Sequence, residues 1–144
     1  MGKKKCFYSD LHSKPKNRRS KRFKVFSKTK GRCWYCGKKI TYANGCAGNR
    51  FTLDHLIPRA MGGADELGNL VPSCDCCNLE KGAMPVDEYR FLKTMGNFVK
   101  STGVSFTMEQ SVWLQENSRG LGLERYQYLF WFEAREGQIQ RQIK

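Results

Sequence analysis

The chain predicts a small α+β fold, and three observations carry that prediction. Residues 51–54 and Leu70-Val71 read as two short strands, separated by a loop rich in glycine. Cys33-x-x-Cys36 and Cys74-x-x-Cys77 bracket those strands with the spacing of a closed thiolate metal site. Beyond Pro85 the pattern changes to helices.

The elements follow in order. From Ser20, a helix-capping residue, Phe23, Val25 and Phe26 alternate with Lys and Arg, which predicts a short helix ending near Gly31. Cys33-Trp34-Tyr35-Cys36-Gly37 reads as a zinc knuckle, its glycine supplying the positive φ that turns backbone amides toward thiolates. Phe51, Thr52, Leu53 and Asp54 alternate as a strand, and a loop follows with Pro58, Gly62-Gly63 and Gly68. Leu70-Val71 makes the second strand, with Pro72 expected to stop it. A helix starting within residues 74–77 carries Asn78 and is limited by Gly82 and Pro85. A second helix is expected from Val86 to about Lys100, and a third over residues 108–116, capped by Thr107 and broken by Gly120 and Gly122. Residues 125–133 are rich in aromatics, which favours a strand, with a helix as the alternative.

A length of 144 residues suits one domain, although the segment around the cysteines is too short to bury much surface. A metal staple is the usual answer to that shortage. No apolar run is long enough to span a membrane, and the basic start lacks the apolar stretch of a secretory signal. The seven cysteines are an odd number, unlike a disulfide framework, so a reducing intracellular (cytoplasmic) setting is expected. Cys33, Cys36, Cys74 and Cys77 are assigned to Zn²⁺, tying together parts of the chain 37 residues apart. Cys6, Cys46 and Cys76 are read as free thiols, with Cys76 a rival for the metal.

Charge is unevenly spread. Residues 1–32 hold 13 Lys and Arg against Asp10 alone, a balance of +12, while the remaining chain balances at +1. Such an arm suits a polyanion, most simply DNA, with a merely solvated tail as the plainer reading. Arg18, Arg19, Arg22, Arg59 and Lys81 are the candidate phosphate contacts; for Arg59 and Lys81 a plain surface role competes. The expected organisation is a flexible arm over 1–20, a core domain over 21–100 and a C-terminal extension over 101–144 that packs on the core.

Taken together, Asp54-His55-x-x-Pro58, Gly62-Gly63, Asn69-Leu70 and Cys74-x-x-Cys77-Asn78-x-x-Lys81-Gly82 resemble the HNH (His-Asn-His) endonuclease family in its four-cysteine form. The resemblance covers about residues 33–85 and implies a ββα-metal core, to which the C-terminal helices expected beyond Pro85 are additional. It also implies an active site that hydrolyses phosphodiester bonds to 5′-phosphate and 3′-hydroxyl ends. Asn78 stands where the family name has its last His, and it keeps an oxygen donor for a hard metal. His55 is then the general base, an imidazole titrating near neutrality. Asp54 and Asn78 are ligands for one Mg²⁺ or Mn²⁺, and Asn69 braces the loop that orients His55. Successive strand residues face opposite ways, so Asp54 and His55 converge only if the strand ends there. A non-catalytic zinc module that binds nucleic acid is the competing function, and RNA stays open as a substrate. Nothing in the sequence decides between monomer and homodimer.

Overall fold

The structure, a computed structural model, describes residues 19–42, 46–117 and 128–142. The arm over 1–18, with Arg18 and Cys6, lies outside them, as do Gly120 and Gly122. By backbone contacts the described chain forms two compact units. One runs to Pro85 and resumes at Phe130; the other spans Val86–Leu129.

The first unit opens with α1 (Lys21–Ser27), where the Ser20 hydroxyl accepts the Phe23 amide at 3.2 Å. Strands β1 (Phe51–His55) and β2 (Leu70–Cys74) pair antiparallel, Phe51 opposite Cys74 and His55 opposite Leu70. Helix α2 (Asp75–Lys81) follows β2 without a loop, completing a ββα unit. The fold is therefore α+β, with the four cysteines gathered beside this unit. Val25, Phe51, Leu70, Val71, Tyr35 and Phe130 are all buried in its core. Phe26 and Tyr42 set their rings on Phe51 at centroid distances of 5.2 and 5.7 Å.

Pro72 does not stop the second strand; it sits in the middle of β2, opposite Leu53. Phe51 donates its amide away from the sheet, to Thr41, so the pairs of that register, Leu53 with Pro72 included, are the non-bonded ones. The missing proline N–H would have pointed outward, and the sheet loses no bond. The Pro72 carbonyl faces outward too, where it accepts the Trp34 amide at 2.8 Å and ties the first cysteine turn to β2.

Trp131–Gln142 forms the last helix described, α5. The strand favoured for residues 125–133 is thus absent over 131–133; residues 125–127 lie outside the described part. The aromatics serve packing, which outweighs their strand propensity. Trp34 stacks on Phe132 at 3.8 Å, Tyr35 meets Phe130 edge-on at 4.9 Å, and the Trp131 amide donates to the Tyr35 carbonyl at 2.9 Å. Gly37 is required under that helix start. Its φ is 72°, and a Cβ there would lie 2.3 Å from the Trp131 ring.

In the second unit, α3 (Val86–Thr102) runs unbroken through the expected boundary at residue 100. Helix α4 (Met108–Asn117) begins with a reciprocal cap, in which Thr107 Oγ1 accepts the Gln110 amide at 3.2 Å and Gln110 Oε1 accepts the Thr107 amide at 2.9 Å. No helix of the described residues is long and apolar enough to cross a membrane.

Candidate active site and metal centre

Two local structures deliver the four thiols. In the first, the Cys33 amide donates to Lys38 and the Gly37 amide to Cys33, folding residues 33–38 into a tight turn. In the second, Cys74 is the cap of α2, its sulfur accepting the Cys77 amide at 3.4 Å. The four Sγ atoms lie within 4.8 Å of one another, and Cys36 and Cys74 are 3.9 Å apart. Tetrahedral thiolate ligation with metal–sulfur bonds of about 2.3 Å requires sulfurs roughly 3.8 Å apart, so the donor set fits such an ion. The electrostatics agree. Hydrogen bonds from Cys36 and Cys77 pull the Cys33 thiol well down, hydrogen bonding to Cys33 and Cys36 pushes Cys77 well up, and burial pushes Cys74 up to about 11. Bare thiols this close resist ionising together, and a dication removes the obstacle. Cys76 is exposed, on a different side of its helix turn from Cys74 and Cys77. Cys46 is not a free thiol as expected; it is disulfide-bonded.

Asp54 and His55 end β1. Asp54 is buried at 5% exposure; its Oδ1 accepts the His55 amide at 2.9 Å and the Lys81 ammonium at 3.2 Å, and its Oδ2 accepts the Tyr35 hydroxyl. The loop beyond is held by Asn69. Its Oδ1 accepts the Ile57 amide at 2.8 Å, and its Nδ2 donates to the carbonyls of Ile57 at 2.9 Å and Ala64 at 3.0 Å. Gly63 is packed against the same carbonyl, where an added Cβ would lie 1.8 Å from Ile57 O. Gly63→Ala must therefore displace the loop backbone. We expect it to cost about 1–3 kcal/mol in denaturant unfolding and to lower activity, whereas Gly62→Ala, with open space around it but φ of 82°, costs less.

From the other side α1 grips the loop. Lys21 ion-pairs with Asp65, and Lys28 donates to the carbonyls of Leu67 and Leu70, the latter at 2.7 Å. Burial lowers the Lys28 ammonium from its ordinary value. Asp65 lies 3.3 Å from His55 Nε2, although the two are not aligned for a hydrogen bond and Nε2 is buried without one. The Lys21 ammonium holds the Asp65 carboxyl below its usual range.

Residues 33–84, just over a third of the chain, match the HNH endonuclease family model. That segment is an HNH domain. No curated protein matches the chain.

Within the HNH domain, Asn78 sits on α2 three residues before Lys81, whose side chain reaches the end of β1. Lys81 needs correction as a surface phosphate contact. It is 1% exposed, because its stem runs inward and its ammonium ends between Asp54 Oδ1 and the His55 carbonyl. Arg59 is exposed at the start of a single 3₁₀ turn, Arg59–Met61. Arg22 is exposed but committed in part, donating to the Phe51 carbonyl at 2.8 Å and lying 4.4 Å over the Phe51 ring. Arg19 is exposed before α1. Sequence reasoning missed Tyr35 and Asp65. Tyr35 reads as filler between two cysteines, and Asp65 sits in a loop without periodicity; no sequence signal marks either as a neighbour of Asp54 or His55.

Proposed function

We propose that the chain is a metal-dependent endonuclease that hydrolyses DNA phosphodiester bonds, with Zn²⁺ in the cysteine site as scaffold and Mg²⁺ or Mn²⁺ as the catalytic ion. The observation that carries this reading is the convergence of Asp54, His55 and α2 on one end of the sheet inside an HNH domain. A carboxylate offers about four acceptor sites. Three on Asp54 are taken, so one remains, together with the Asn78 amide oxygen, for a hard cation that also keeps waters. A bound Mg²⁺ or Mn²⁺ would neutralise charge on the phosphoryl and leaving oxygens.

The chain's own residues do the rest. His55 takes a proton from water as the water oxygen bonds to phosphorus; the P–O3′ bond breaks, and the leaving oxygen is protonated from solvent. Asp65, beside Nε2, supplies the negative charge that stabilises the imidazolium so formed. Asn69 and Gly63 fix the loop, keeping His55 from turning away. The basic arm and Arg59 would follow phosphates, giving affinity without reading bases.

A non-catalytic nucleic-acid-binding module is the second reading, favoured by the Lys81 ammonium already seated on Asp54. Supercoiled plasmid with and without Mg²⁺ or Mn²⁺ separates the two. Metal-dependent nicked or linear product is expected, and its absence with a folded, zinc-loaded protein would leave only binding. In the same assay Asp65→Asn is expected to slow cleavage roughly tenfold, less than loss of the base itself, with unchanged DNA affinity. Wild-type rates for that variant would remove Asp65 from the scheme.

A further inference from the structure

Lys81 has no part in the proton and phosphoryl chemistry proposed for Asp54, His55 and Asp65. An ammonium at 1% exposure has given up its water and must be compensated. Its two partners are Asp54 Oδ1 at 3.2 Å and the His55 carbonyl at 2.8 Å. A carboxylate oxygen and a backbone carbonyl are also what a hard divalent cation takes. The lysine charge thus sits on the oxygen donors at the end of β1, beside the residue assigned to the catalytic ion. Tyr35 holds the other oxygen of the carboxylate, so Asp54 can stay oriented while Oδ1 changes partner.

We propose that Lys81 is a resident cation of the catalytic centre, which holds Asp54 in place and competes with the incoming divalent ion for Asp54 Oδ1. The inference rests on the reading of Asp54 as a metal ligand. Chemically it is an exchange of one cation for another on a buried carboxylate. Lysine suits it, being a compact charge on a four-carbon stem that can withdraw without moving the backbone. Lys81 is the last residue of α2, and Gly82 after it, with φ of 54°, lets the chain turn away at once. The consequence is a built-in threshold: the site fills only when the divalent ion outcompetes the ammonium.

The test is Mn²⁺ binding to the full-length, zinc-loaded protein without DNA, by calorimetry and by the paramagnetic resonance of free Mn²⁺. Lys81→Gln keeps donors for both oxygens but no charge, and Lys81→Met keeps neither. Both are expected to bind Mn²⁺ at least ~10-fold more tightly than wild type, a modest part of what two charges this close exchange inside a protein. Lys81→Arg, which keeps the charge, should bind like wild type. Melting temperature gives a second readout, with Mn²⁺ raising it more in Lys81→Met than in wild type. Should Lys81→Met fail to fold, Lys81→Gln carries the comparison. Unchanged or weaker Mn²⁺ binding in Lys81→Gln, with binding lost in Asp54→Ala, would overturn the competition while leaving Asp54 a ligand. Wild-type Mn²⁺ affinity in Asp54→Ala would instead overturn the ligand reading itself, and the competition with it.

Discussion

His55→Ala is expected to lower the rate of plasmid cleavage by at least ~100-fold, the usual cost of removing a general base. The side chain ends β1, and its backbone carries more of the local structure than its ring does. The His55 amide donates to Asp54, and its carbonyl accepts from Lys81. Both bonds survive the substitution, so thermal stability and DNA affinity should stay near wild type. Loss of the ring also frees Asp65, which keeps its ion pair with Lys21. The measurement is single-turnover cleavage at saturating DNA and Mg²⁺, beside a melting curve. A variant that cuts at the wild-type rate would show that some other group activates the water, whereas one that melts early would show that the ring is structural.

The second large effect concerns the cysteine site. The purified protein is expected to hold about one tightly bound zinc per chain, and Cys36→Ser to lower the melting temperature by at least ~10 °C. The size follows from what the site joins. Cys33 and Cys36 sit on the turn that carries Tyr35 to Asp54 and holds the start of α5, while Cys74 and Cys77 open α2, which carries Asn78 and Lys81. Releasing one sulfur loosens both ends of the candidate active site. Acid should act in the same direction, because the thiols must lose protons to bind the metal, and burial holds Cys74 at about 11. Metal affinity therefore falls as pH falls, and a chelator becomes more effective. Metal analysis that finds no zinc in a folded, reduced sample would remove the scaffold argument.

Much of the fold was legible because its signals are local. Ser20 caps α1 through its own hydroxyl, Thr107 and Gln110 cap each other, and Gly82 ends α2; each needs only neighbours in sequence. The pairing of C-x-x-C motifs likewise marks four thiols that could share a metal ion, whatever the rest of the chain does. Pro72 is not legible in this way, because proline's cost depends on which side of a ladder its nitrogen faces, and that is set by a register three-dimensional pairing alone decides. Residues 131–133 escape sequence reading for a related reason. Aromatic content favours strands on average, yet here Phe130, Trp131 and Phe132 meet the cysteine turn, and packing chose a helix.

By itself, then, the sequence determined the α+β class and the four thiols that could share a metal ion, and it singled out the candidate set Asp54, His55, Asn69 and Asn78, because those depend on residue type and spacing. Only the tertiary structure decided what surrounds the set. Lys81 and Arg59 look alike in a sequence, each a cation near a glycine, but one is exposed on a loop and the other ends on a buried carboxylate. Tyr35 lies 19 residues from Asp54 and Lys81 lies 27 away, and both reach the same carboxyl group. Burial is the physical reason such neighbours escape sequence reading. Whether a charge is solvated or must be paired depends on the whole packed environment, and no local pattern of residues encodes that.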